Sequence, residues 1–203
     1  FAANRTEGNV KKTGGDTDRI SRAISDCARI VSSLSAHASR IEEISSVIIA
    51  ALKTGRKVLT AGNGGSCAEA MHMSEELIGR FRNDRPALPA VCLSADPTAI
   101  TCIGNDYGFD AVFSRQIEAL GKTGDILVLF STSGRSKNLI PALETGKTRG
   151  LKVICLLGKD GGVMAGRGDL EIVVKSNATE RVQEAHQLIL HLVLDAVEEA
   201  FRQ

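Results

Sequence analysis

Ser131-Thr132-Ser133-Gly134-Arg135-Ser136 sets four hydroxyls within six residues. Hydroxyls and backbone N–H groups at that density suit a phosphate monoester, whose oxygens accept many hydrogen bonds. Helix capping, the ordinary use of such a serine, needs only one of them. Gly62-Asn63-Gly64-Gly65-Ser66 is a second short loop, whose glycines let backbone N–H groups come close to a ligand. It lacks the spacing of a dinucleotide fingerprint and the lysine of a nucleotide P-loop, and its plain alternative is a tight strand-to-helix turn. His72 and Glu76 stand four apart, on one side of a helix if one forms there. A histidine and a carboxylate one turn apart can share a metal or work together in proton transfer; a surface pair is the ordinary alternative. Gln183 and His191 lie on another apolar-periodic stretch. His191 is flanked by Leu and Val, which predicts a buried imidazole with a hydrogen-bond partner, in a site or simply in the core.

The elements that must position these groups follow from periodicity. From Asp18, apolar residues at 20, 24, 27, 31 and 34 fall on one helical face, and those at 41, 44, 48 and 52 on another that stops at Gly55. After these two helices the chain alternates. Strands are predicted over 57–61, 90–94, 125–130, 151–157 and 170–174, with helices between them and a long closing helix over 179–201. Helical material is expected on both sides of Gly104-Asn105-Asp106. The third strand, Asp-Ile-Leu-Val-Leu-Phe, is apolar without alternation, as befits a strand covered on both faces. Strands separated by helices give parallel βαβ units, hence a three-layer α/β/α fold with a five-stranded parallel sheet behind two N-terminal helices. If the strand order is 2-1-3-4-5, the switch point falls between the first and third strands, which end in the two Ser/Gly loops. Residues 1–16 read as a flexible polar arm and 17–203 as one domain.

With 25 basic and 24 acidic residues the chain has no cationic excess for nucleic acid, so none is expected as a partner. Nor is a membrane, because no apolar run approaches the 18 or so residues of a span. The N-terminus carries no secretory pattern. Five cysteines, an odd number without a CxxC pair, point to buried free thiols in a reducing compartment, so a cytoplasmic location is expected.

Together these segments resemble the SIS (sugar isomerase) domain, and within it the phosphoheptose isomerases. The similarity runs from about Asp18 onward. It rests on Gly-Asn-Gly-Gly-Ser, Ala70-Met71-His72, Glu75-Glu76-Leu77, Arg85-Pro86, Gly104-Asn105-Asp106-Tyr107-Gly108-Phe109, Ser-Thr-Ser-Gly-x-Ser, Gly158-Lys159-Asp160-Gly161-Gly162 and Arg181-Val182-Gln183-Glu184. The resemblance implies a flavodoxin-like SIS domain and a homotetramer with active sites at subunit contacts. It also implies a substrate touching Asn63, Gly64, Gly65, Ser66, Glu76, Asn105, Asp106, Ser131, Thr132, Ser133, Ser136 and Gln183. In some members zinc is held at positions matching His72, Glu76, Gln183 and His191. The implied reaction interconverts sedoheptulose 7-phosphate and glycero-manno-heptose 7-phosphate, the first step toward activated heptose for surface polysaccharide. Glu69 and Glu180 stand where relatives often carry Asp. Gln183 and His191 are separated by about 12 Å along a helix, so one ion meets both only above Gln187 with both side chains extended.

Ketose–aldose isomerisation needs a base that moves a proton between adjacent carbons and an acid for the enediol oxygens. Glu76 is the expected base and His191 the expected acid, with the Ser/Thr loop holding the phosphate. The rival reading is a non-catalytic SIS relative that binds the bacterial replication initiator. That relative keeps the loop framework and replaces the matches to Glu76 and His191, both of which are present here. Isomerases of other sugar phosphates are a further alternative; the arabinose-phosphate enzymes usually add regulatory modules, and this chain ends at Gln203 without them.

Overall fold

In a computed structural model, residues 14–202 are described. Of the expected arm, residues 1–13 lie outside the described residues, and helix α1 (Gly14–Ser33) already contains residues 14–16. A 3₁₀ turn (Leu34–His37) joins α1 to α2 (Ala38–Lys53). The remaining elements are β1 (Val58–Gly62), α3 (Gly65–Ile78), β2 (Ala90–Cys92), α4 (Pro97–Tyr107), α5 (Ser114–Leu120), β3 (Ile126–Ser131), α6 (Leu139–Thr148), β4 (Lys152–Gly158), β5 (Leu170–Val174) and α7 (Thr179–Phe201).

The five strands form one all-parallel sheet in the order β2-β1-β3-β4-β5. Alternate side chains of β3 serve opposite faces. Ile126, Val128 and Phe130 pack with residues of α1, α2, α3 and α7, whereas Leu127 and Leu129 pack with residues of α5 and α6. All six residues of β3 are buried, so the unbroken apolar run is what a strand covered on both sides requires. The three layers expected from the sequence are therefore present.

Two elements differ from the sequence reading. β2 stops at Cys92, where the chain turns away with the Ala95 N–H donating to the Cys92 carbonyl. α4 runs unbroken through Gly104-Asn105-Asp106: Asp96 caps it by accepting from the Thr98 and Ala99 N–H groups, and Pro97 occupies its first turn. An interior glycine costs a helix about 1 kcal/mol, which such a start can absorb. The cysteines are all unpaired; Cys155 alone is fully buried, and burial pushes its thiol up to about 12. No helix among the described residues is long and apolar enough to cross a membrane.

Candidate active site

β1 and β3 are neighbours, so their C-terminal ends release both Ser/Gly loops side by side at the switch point. The loops are tied together. Asn63 and Asn138 exchange two amide hydrogen bonds, Asn63 Nδ2 to Asn138 Oδ1 and Asn138 Nδ2 to Asn63 Oδ1, each 2.9 Å. Asn138 is 2 % exposed and Asn63 half-buried, so the pair is a partly shielded clamp. Inside the second loop, Ser131 Oγ accepts from the Gly134 N–H at 3.0 Å and lies 3.5 Å from Ser136 Oγ. Gly134 has φ +59°, and a Cβ there would fall 1.8 Å from the Gly161 carbonyl oxygen. Only glycine lets the loop pack on the Gly158–Gly162 turn this closely. Arg135 completes the brace with a two-pronged contact to Asp160, at 2.8 and 2.7 Å, which holds the Asp160 carboxyl well below the usual range. Thr132, Ser133 and Ser136 remain partly open, Ser66 is buried in the first turn of α3, and Gly64 and Gly65 are exposed.

α3 carries His72 and Glu76 away from the first loop, and α7 runs beside it in the same direction. The contacts step down the seam from the Gly65–Gln183 level through Glu69–His186 and His72–Gln187 to Arg82–Asp195. Side chains of a helix lean toward its N-terminus, so His72 and Glu76 tilt back toward the loop end. His72 Nε2 lies 3.2 Å from Glu76 Oε1. On the far side of the ring, His72 Nδ1 lies 2.6 Å from Gln187 Nε2, which is also 2.9 Å from His191 Nε2. The two imidazoles meet edge to face at 5.2 Å, and Phe81 covers His191 at 5.7 Å. Burial foremost, then the neighbouring His72, lowers the His191 pKa against the opposing pull of Glu76. Arg85 fixes the end of α3 by donating to the carbonyls of Glu76 (2.5 Å) and Leu77 (3.0 Å). Deeper in the seam, His186 Nε2 lies 3.2 Å from the Leu157 carbonyl oxygen, to which it donates, and its Nδ1 faces Glu69 at 3.8 Å.

Two Ser/Gly loops thus meet at a switch point, with His72 and Glu76 on α3 and a second imidazole, His191, on α7. The SIS domain family model matches residues 24–158. The phosphoheptose isomerase of Campylobacter concisus is 52% identical over 151 residues, covering 74% of this chain and 80% of that protein. The chain belongs to the SIS-domain phosphoheptose isomerase family. Among solved structures, the phosphoheptose isomerase of Francisella tularensis superposes with a TM-score of 0.86 at 34% identity, over 91% of this chain and 98% of that one. The enzyme from Neisseria gonorrhoeae gives 0.84 at 36% identity, over 90% and 98%.

As a member of this family the chain is a sugar-phosphate isomerase, and its candidate residues separate into two groups. Asn63, Gly64, Gly65, Ser66, Ser131, Thr132, Ser133 and Ser136 form the paired loops, and His72, Glu76 and His191 form the seam cluster. Gln183 is placed beside the first loop. Its amide lies against Gly65, where a Cβ would fall 2.2 Å from Nε2, and His72 is about 10 Å further along α3. Gln187, named in the sequence only as the residue an ion would sit above, holds the place beside the histidines. Its signal was its i, i+4 relation to His191. Asn138 was missed altogether, because nothing local announces a partner 75 residues away. Asn105 and Asp106 lie exposed at the end of α4, bonded to each other, beside the exposed Tyr107 and Phe109. One chain brings them to neither loop by any hydrogen bond among the described residues. His191 is half-buried and not enclosed, and its partner is the Gln187 amide.

By type the seam cluster fits zinc, with two imidazoles and a carboxylate as donors. His72, Glu75 and Glu76 already place ligand atoms within 4.8 Å of one another. As it stands, His72 faces Glu76 with Nε2 and Gln187 with Nδ1.

Proposed function

We propose that this isomerase interconverts sedoheptulose 7-phosphate and glycero-manno-heptose 7-phosphate, supplying activated heptose for surface polysaccharide. The observation that carries this reading is the separation of grip from chemistry. The Ser131–Ser136 cradle lies at the switch point, and Glu76 and His191 lie down the α3–α7 seam, as a phosphate remote from the reacting carbons demands. Holding that phosphate orients the small reacting end.

Glu76 is the base that moves the proton between C1 and C2, with His72 holding its carboxylate. His191 serves the enediol oxygens. Zinc, where bound, would be held by His72, Glu76 and His191 with Gln183 of α7, and would supply polarisation of the substrate carbonyl. Asn105, Asp106 and Gln183 complete the sugar contacts. We place the enzyme in the cytoplasm, where its phosphorylated substrate arises.

Its assembly is a homotetramer. The half-exposed Ile20 and Ile24 on α1, and Asn105 and Asp106 left outside the single-chain site, support an active site finished at subunit contacts. A sedimentation mass near that of a single 21.5 kDa chain would sink the assembly. The activity is tested by offering sedoheptulose 7-phosphate with and without a chelator and following the aldose by NMR. Product under either condition is expected. No product under both would favour the non-catalytic SIS regulator, for which retained sugar-phosphate binding without turnover is the signature.

A further inference from the structure

Glu69 on α3 is 5% exposed and His186 on α7 is completely buried, and the reaction proposed above uses neither. Both carboxylate oxygens of Glu69 and the Nδ1 of His186 lack a hydrogen-bond partner among the described residues, and Oε2 faces Nδ1 at 3.8 Å. Polar groups buried in that state are costly. Folded chains carry such a cost chiefly at functional sites. The other contacts of His186 show which site is served. Its Nε2 lies 3.2 Å from the Leu157 carbonyl oxygen, and Leu157 pairs in register with Ser131, where the Ser131–Ser136 loop begins. Its ring stands edge to face on Phe130, the residue before Ser131, with centroids 6.1 Å apart. Glu69 belongs to the other half of the site. It lies on α3 between Gly65, whose neighbour is Gln183, and His72, whose neighbour is Gln187.

We infer that Glu69 and His186 are a positioning pair, the joint that fixes the α3–α7 seam, with Glu76 and His191, relative to the loop that holds the phosphate. A carbonyl only accepts, so Nε2 is an N–H of His186 and Nδ1 is the atom left to meet Glu69. The pairing holds whichever of the two carries the proton between them. Through Leu157 and Phe130 the ring follows the ends of β4 and β3, and through Glu69 it follows α3. Being buried, neither residue reaches a substrate. Their joint sets the span from phosphate to reacting carbons, and an error of about 1 Å in such a span can cost about 10²-fold in rate. The kinetic consequence rests on the isomerase reading.

The test compares variants of the full chain. E69M fills similar space without a carboxylate. E69Q keeps an amide that can bond Nδ1 whether or not that nitrogen carries hydrogen. H186F keeps a ring and loses both nitrogens. Each is measured for its urea midpoint, for the Kd of inorganic phosphate, which reads the loop alone, and for Kd, KM and kcat with sedoheptulose 7-phosphate. E69M and H186F should lower kcat at least about 10-fold with the phosphate Kd within about twofold, and E69Q should keep kcat within about threefold of wild type. The E69M/H186F double variant should lose no more than the worse single one. A lower urea midpoint with unchanged kcat would make the pair purely structural and overturn the inference. So would an E69Q as slow as E69M, or phosphate affinity falling in step with kcat. Should H186F not fold, the contrast between E69M and E69Q decides alone. A wild type that binds sedoheptulose 7-phosphate without turning it over would count against the function proposed above. The joint is then read from binding: E69M, and not E69Q, should lose the excess of sugar-phosphate affinity over phosphate affinity, and no such selective loss would overturn it.

Discussion

Glu76 is held at both ends, its carboxylate by His72 and its backbone carbonyl by Arg85, and its side chain is 17% exposed. Those contacts set where the carboxylate points; they leave it free to exchange a proton with a ligand. Replacing Glu76 by Gln keeps the size and the hydrogen-bonding reach and removes the base. The expected outcome is a fall in kcat of about 10²–10⁴-fold with sugar-phosphate binding retained, measured by stopped turnover and by calorimetric titration. Undiminished turnover in E76Q would remove Glu76 from the proton-transfer step. At this scale the sequence was readable where one helix brings two residues together, as for His72 and Glu76. It failed where two helices do, because a periodic pattern says which face a residue occupies and not which neighbour meets it. Gln183 and Gln187 share a face of α7, and the stagger between α3 and α7 alone sends one to Gly65 and the other to the histidines.

The elements around the loops work as a clamp. β1 and β3 deliver them side by side, Asn63 and Asn138 join them, and the Gly158–Gly162 turn supports the second from beneath. The order of elements was legible in the alternation of apolar runs and breaks, since parallel strands and their crossover helices have characteristic lengths. The clamp was not, being made by residues far apart in sequence. Its strength is measurable by a double-mutant cycle. N63A leaves the buried Asn138 amide without a partner, and N138A does the converse, so each should destabilise by about 1–3 kcal/mol. The double variant should cost less than the sum, by at least ~0.5 kcal/mol, and all three should raise KM more than they lower kcat. Additive effects in urea denaturation would mean that the two amides do not act as a unit.

For the whole molecule, two buried carboxylates fasten parts that the sheet alone does not. Asp125 at the head of β3 accepts from the Lys57 ammonium, the Lys57 N–H (3.1 Å) and the Lys122 N–H (2.8 Å). Glu198 near the end of α7 accepts from the N–H groups of Arg82 (2.8 Å) and Asn83 (2.7 Å), securing the segment that follows α3. Burial works to raise both pKa values, but the donors outweigh it and both groups end below their ordinary values; for Asp125 the largest opposing contribution is Lys57. The unfolded chain therefore takes up protons at these two positions before the folded one does. Stability from them is fully present above the ordinary carboxylate range, near pH 4, and is lost as pH falls through the lower folded values. Wild-type urea midpoints should hold steady down to about pH 5 and then drop. Asp125→Asn leaves the Lys57 ammonium, itself largely buried, without its counter-charge, and should cost about 3 kcal/mol at neutral pH. Its midpoint should fall less steeply with acid than the wild type's, because the group that takes up the proton is gone. Parallel acid limbs for the two proteins would show that Asp125 does not carry this part of the pH dependence, leaving Glu198→Gln to account for it.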